Sequence, residues 1–145
     1  MKVVIDADAC PVTRIAERIA SGFLVECTLV CDTAHVMTSA YSKVITVDKG
    51  ADSADYKIVN MLEKGDVIVT QDYGLAAMCI ARGANAINQN GMIYSDENID
   101  GLLFFRAASA KARRAGSRLK GPKKRTSDQN TAFEKAFSDL IKSLM

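Results

Sequence analysis

Apolar positions fall into two alternating rhythms along this chain. Short continuous runs such as Lys2 to Asp6 (KVVID) are rich in β-branched residues, the mark of a strand buried on both faces as in parallel sheets. Between such runs the apolar residues recur every three or four positions. Pro11 suits a first helical position, and Ile15, Ile19 and the alanines at 16 and 20 continue a helix to Ser21-Gly22. Phe23 to Val30 then predicts a second strand and Lys43 to Val47 a third, and the link between them has no regular rhythm. Ile58, Val59, Met61 and Leu62 give helical spacing over 53–64, closed by Gly65. Asp66 to Thr70 (DVIVT) predicts the fourth strand, Leu75 to Ala81 a helix ended by Gly83, and Ala84 to Ile87 a short fifth strand.

Strand and helix alternating in this way predict an α/β fold with a doubly wound, mainly parallel five-stranded sheet. Beyond Gly91 the rhythm becomes purely helical, over about Ile99 to Arg114 and Asn130 to Leu144, joined by the polar stretch AGSRLKGPKKRTSD. Phe133, Phe137, Leu140, Ile141 and Leu144 form one apolar stripe on the last helix. That stripe needs either the core or a second copy of the chain to cover it, so a homodimer stays open. The short link argues for one domain over residues 1–145.

Composition changes this picture little, with 48% hydrophobic and 25% charged residues, values ordinary for a folded domain. The opening apolar run is broken by Asp6 and Asp8, too early for a signal segment or a membrane span, so a cytoplasmic location is expected. Cys10, Cys27, Cys31 and Cys79 are then expected to be thiols, with no CxxC among them. Cys27, Cys31 and His35 could be aligned as a zinc clip. FLVECTLVC reads better as a strand with Cys27, Leu29 and Cys31 on one apolar face.

Charge matters more for its distribution than for its net value of +2. No Asp or Glu occurs from Gly101 to Ser127, whereas nine of the nineteen basic residues do, all of them in a segment over 106–125. Such a face suits a polyanion, and GPKKR resembles a phosphate-contacting loop, although lysines and arginines on exposed helices need no partner. Tyr41, Tyr56, Tyr73 and Tyr94 offer rings for base stacking or, more ordinarily, for packing.

The acids gather elsewhere. Asp6 and Asp8 end the first strand, and their two-residue spacing directs both carboxylates to one side of an extended backbone. Asp72 follows the fourth strand in VIVTQD. In an open α/β sheet, groups just past the carboxyl ends of neighbouring strands meet at the topological switch point. Asp52 and Asp55, one helical turn apart at the start of a helix, come within reach of the same crevice. Singly, Asp8, Asp52 and Asp72 also suit helix N-caps. Together, carboxylates so close repel, which proteins tolerate where a cation compensates or a pKa is to be shifted. An all-oxygen site suits Mg²⁺ or Mn²⁺.

The motifs VVIDADACPV, GADSADYKIV, GDVIVTQDYGLA and the late GPK with Phe133 beyond it closely resemble the YaiI/YqxD family, in the same order over nearly the whole chain. That family is similar to the PIN-like and NYN-like nucleases. The resemblance implies a three-layer sandwich and a Mg²⁺ or Mn²⁺ site in which Asp6, Asp8, Asp55 and Asp72 are ligands, with Asp52 or Asp55 also able to orient water. It departs from active PIN domains after Asp72. Many of those carry a further acid there, and Tyr73 to Ala76 supply none, so the residue expected for a second metal is missing.

The leading expectation is therefore metal-dependent hydrolysis of RNA at Asp6, Asp8, Asp52, Asp55 and Asp72. Arg106, Arg114, Arg118, Lys120 and Lys123 would hold phosphates. Two alternatives stand beside it. Asp6-Ala7-Asp8 could be the nucleophile and acid of a haloacid-dehalogenase-type phosphatase, although Cys10 stands where those enzymes usually have Thr or Val. The chain could instead bind RNA without cleaving it, its aspartates serving as caps.

Overall fold

The computed structural model describes residues 1–34, 37–50, 52–116 and 124–145. The elements in order are β1 (Lys2–Asp6), α1 (Thr13–Gly22), β2 (Glu26–Asp32), β3 (Lys43–Val47), α2 (Ser53–Met61), β4 (Val67–Val69), α3 (Tyr73–Ala81), β5 (Asn85–Ile87), β6 (Ile93–Tyr94), α4 (Asp96–Arg114) and α5 (Ser127–Leu144). The strands form one sheet in the order β3-β2-β1-β4-β5-β6. All pairings are parallel except β5 with β6. Chain progression reverses between β1 and β4, so the switch point lies where the sequence pattern put it. Ile5 pairs with Leu29 on one side and Val69 on the other.

Each central strand buries both faces, and alternate residues enter different cores. Val3, Ile5, Cys27, Leu29, Cys31, Val67 and Val69 share a core with Ala16 and Ala20 of α1 and with Phe133, Phe137 and Ile141 of α5. Val4, Val30 and Ile68 face the other way, toward Ile58 of α2, Leu75 and Cys79 of α3 and Ile99 of α4. Helices thus cover both faces and make three layers. The expected stripe of the last helix is taken up by the core, where the Phe133 and Phe137 rings stack with centroids 5.2 Å apart. Cys27, Leu29 and Cys31 share one face as expected, and all four cysteines are free thiols. His35 lies outside the described residues.

Several boundaries differ from the sequence reading for local reasons. Pro11 precedes α1 rather than opening it, because the N-cap is Val12. Phe23 caps the end of α1, and Leu24 takes φ 56°, so β2 begins only at Glu26. The last two helices start earlier than expected because Ser95 with Asn98, and Thr126 with Gln129, form capping boxes. A sixth strand, Ile93–Tyr94, adds an antiparallel edge to the five that were expected. It follows a turn in which Asn88 Oδ1 accepts from the backbone N–H groups of Asn90 and Met92.

Gly91 makes that turn possible. Its φ is +89°, and a Cβ there would stand 2.8 Å from the Ala132 carbonyl oxygen of α5. Gly91→Ala is expected to cost about 2 kcal/mol, from the left-handed backbone and the clash together. Urea unfolding checks this, and an unchanged midpoint would mean that α5 does not seat against the turn.

Candidate functional site

The ends of β1 and β4 bring together what the sequence had kept 64 residues apart. Thr70, 1% exposed just past β4, donates its hydroxyl hydrogen to Asp6 Oδ2 at 2.9 Å. The same Thr70 oxygen accepts from the backbone N–H of Asp72 at 3.0 Å. One buried hydroxyl therefore sets both the Asp6 rotamer and the turn that presents Asp72. Asp8 is fixed separately, its two carboxylate oxygens each 3.2 Å from the backbone N–H of Asp32 at the end of β2. Ala9 follows at φ 57° and turns the chain out of the strand direction.

Two adjoining cavities hold the five aspartates. Asp6, Asp8 and Asp72 line the first, of about 340 Å³, with Gln71, Tyr73 and Arg106. Asp52, Asp55 and Asp72 line the second, of about 350 Å³, with Tyr56, Met78 and Arg106 among its other walls. Asp72 and Arg106 are common to both. The capping alternative resolves residue by residue. Asp72 caps α3, accepting from the Gly74 and Leu75 N–H groups at 2.8 and 3.2 Å. Asp52 occupies the N-cap of α2 at φ 64° without a side-chain cap bond, and the cap of α1 is Val12, so Asp8 caps neither helix.

The electrostatics single out Asp6. Burial raises its carboxyl from the ordinary 3.8 to about 6, and Asp55, Asp8 and Asp72 add to the rise against the opposing bond from Thr70. Asp55 is also raised, first by burial and then by Asp72 and Asp52, with Arg106 opposing. Burial likewise raises the nearby Cys10 thiol, which disfavours a thiolate nucleophile.

Arg106 was expected to belong to a phosphate-holding basic face. It reaches back from α4 into the crevice, where its Nη1 donates to Asp72 Oδ1 at 3.1 Å. A Cβ on Gly74 would stand 3.3 Å from Asp72 Oδ1 and 3.5 Å from that nitrogen, so the tighter contact would be with the carboxylate. Both partners are more than a third exposed, and such a pair contributes at most about 1 kcal/mol. Arg114 is exposed in the last turn of α4. Arg118, Lys120 and Lys123 lie outside the described residues. Of the tyrosines, Tyr94 is buried edge-on to Tyr73 and Tyr41 donates to the Val25 carbonyl, whereas Tyr56 is 66% exposed beside the crevice.

The donors are hard oxygens, which fits Mg²⁺ or Mn²⁺. Among the described residues, however, no three His, Cys, Asp or Glu side chains form a group that could hold a metal ion. The arrangement suits a largely hydrated ion held by one or two carboxylates rather than a closed chelate. Thr70, Gln71 and the Asp32 amide were missed in the sequence reading. Of these only Thr70 carried a signal, as the polar residue ending the apolar run VIV.

Fold and site together define an α/β protein with an acidic crevice at the switch point of a doubly wound sheet. Residues 4–143 match the family described as "Uncharacterized BCR, YaiI/YqxD family". The chain belongs to the YaiI/YqxD family. It is 49% identical over 143 residues to a UPF0178 protein of Clostridium acetobutylicum, covering 97% of both chains. It is also 50% identical over 141 residues to a UPF0178 protein of Exiguobacterium sibiricum, covering 97% of this chain and 96% of that one. No solved structure matches. Among the described residues no helix is long and apolar enough to cross a membrane.

Proposed function

We propose that the crevice binds a divalent cation, Mg²⁺ or Mn²⁺, and hydrolyses RNA phosphodiester bonds, in keeping with the resemblance to PIN-like nucleases. The observation that carries this reading is the burial of Asp6 among further carboxylates at the switch point, with its pKa raised to about 6. A cost of that kind is typical of groups kept for chemistry. Asp6 and Asp72 would hold the ion, with Asp8 or Asp55 holding its waters. When bound, the ion lowers the pKa of a water and offsets charge on the phosphate.

The chain's own groups supply the rest. Asp52 or Asp55, at the start of α2, can orient the attacking water and take its proton, and the Thr70 hydroxyl holds the Asp6 carboxylate in place. Arg106 is bound to Asp72 weakly enough to turn to a phosphate oxygen. Lys111, Arg113 and Arg114 in the last turn of α4 extend positive charge beyond the crevice.

A non-catalytic RNA-binding role is favoured by one observation: Asp72 is already engaged as the cap of α3 and as the partner of Arg106. Calorimetric titration with Mn²⁺ and Mg²⁺ separates the two readings. Wild type is expected to bind the ion at millimolar concentration or below, and the folded double variant Asp6→Asn with Asp72→Asn to bind at least tenfold more weakly, with loss of RNA cleavage. Asparagine keeps the cap on α3. Salt-dependent RNA binding by a wild type that takes up neither ion would overturn the catalytic reading.

A further inference from the structure

Beside the acidic crevice lies a third cavity, of about 340 Å³, with a different chemistry. Gln71, Gln89, Asn90, Gln129 and Arg125 give its polar walls, and Ala9 and Pro11 its apolar ones. Among the described residues no carboxylate lines it. Gln71 also lines the cavity of Asp6, Asp8 and Asp72, so the two hollows adjoin.

Its walls are held in place. Arg125 is locked by three hydrogen bonds, from Nε to Asn130 Oδ1 at 2.7 Å, from Nη1 to Asn90 Oδ1 at 2.7 Å and from Nη2 to the Gln89 carbonyl oxygen at 2.6 Å. All three acceptors are uncharged. The guanidinium plane is thus fixed while keeping its charge. Asn90 sits in the turn set by Asn88 and Gly91, on which α5 packs. Gln89 Oε1 is buried with no hydrogen-bond partner, alone in this among the described residues. Such an atom costs free energy that a ligand N–H could recover if the side chain turned into the cavity.

Gln71 Nε2 donates to the Ala9 carbonyl oxygen, while Asn90 Oδ1 accepts from Arg125 and Gln129 Oε1 from the Thr126 N–H. Gln71 therefore offers its oxygen and Asn90 and Gln129 their N–H₂ groups, the kinds of group that pair with the edges of nucleobases. A fixed guanidinium plane is a stacking surface for an unpaired base. We infer that this cavity is a base-reading subsite, which takes one unstacked nucleobase of a single-stranded RNA whose neighbouring phosphate lies at the acidic crevice. The inference rests on the reading of that crevice as a phosphodiester site. It adds what the crevice lacks, a means of choosing where along the strand the phosphate is presented.

The test needs neither metal nor cleavage. The full chain in EDTA is titrated with each of the four ribonucleoside monophosphates, with ribose 5-phosphate and with inorganic phosphate, followed by amide NMR. Nucleoside monophosphates are expected to shift Gln89, Asn90 and Gln129 and to differ among the bases, whereas ribose 5-phosphate binds at least tenfold more weakly. Gln89→Ala retains the backbone carbonyl that holds Arg125 and removes the orphaned acceptor, so it is expected to fold and to bind the preferred nucleotide about tenfold more weakly. Arg125→Lys keeps the charge without the plane and is expected to weaken binding similarly.

Equal binding of ribose 5-phosphate or inorganic phosphate would make the cavity an anion site and overturn the inference, as would no binding by any nucleotide. Base-selective binding by a protein that cleaves nothing would keep the subsite and remove the nuclease. RNA cleavage without base binding would do the reverse.

Discussion

Asp6→Asn is expected to make the protein more stable at pH 8, by up to about 3 kcal/mol in EDTA. The folded carboxyl titrates at about 6 against 3.8 for an ordinary aspartate. Between those values the folded state holds a proton that the unfolded chain has released, so stability falls as pH rises through this window and is level above it. Asparagine removes the charge and still offers an oxygen to the Thr70 hydroxyl. The gain should therefore shrink to about 1 kcal/mol at pH 4.5 and vanish below the unfolded pKa. Urea unfolding at the two pH values measures it. A variant no more stable than wild type at pH 8 would show that water relieves the burial of Asp6.

The same experiment with Mn²⁺ added connects stability to the proposed activity. A cation that binds only the folded state stabilises it according to its concentration over its dissociation constant. The wild type should regain the stability it lacks in EDTA, and Asp6→Asn should not respond. A residue that weakens the fold without its ligand and strengthens it with one is the expected trade of a functional site. A residue that only caps a helix gives no such reversal.

Those parts of the molecule were legible in sequence where one physical requirement dominated. KVVID and VIV are buried on both faces, so their apolar runs are continuous, and the acids that end them had to meet once the strand order was the common one. Phe133, Phe137 and Ile141 recur at one helical face and were bound to pack. Thr70 was harder to place, because its role comes from the neighbouring strand, 64 residues away in sequence from Asp6. The ion pair of Arg106 with Asp72 gave no sequence signal, because the two residues are 34 positions apart and belong to different helices. The edge strand Ile93–Tyr94 is two residues long, below what any periodicity can register. Phe23 looked like strand because it is aromatic and precedes a β-branched run, yet its backbone closes α1.

Phe137→Ala is expected to have the largest effect on stability of any single substitution considered, a loss of about 4 kcal/mol. Phe137 is fully buried between the sheet, α1 and the ring of Phe133, so removing the six ring carbon atoms leaves a hole that rigid neighbours cannot fill. The sheet face that Phe137 covers includes Val3, Ile5 and Val69, the residues just behind Asp6 and Thr70. Loosening of α5 should therefore reach the crevice and, through Arg125 and Gln129, the amide-lined cavity as well. The midpoint of thermal unfolding should fall by roughly 10 °C. Phe104 and Phe105 provide the control, being 77% and 67% exposed on α4, and alanine at either should change stability by no more than about 0.5 kcal/mol. If Phe137→Ala cost no more than those two, α5 would not be part of the core that supports the site.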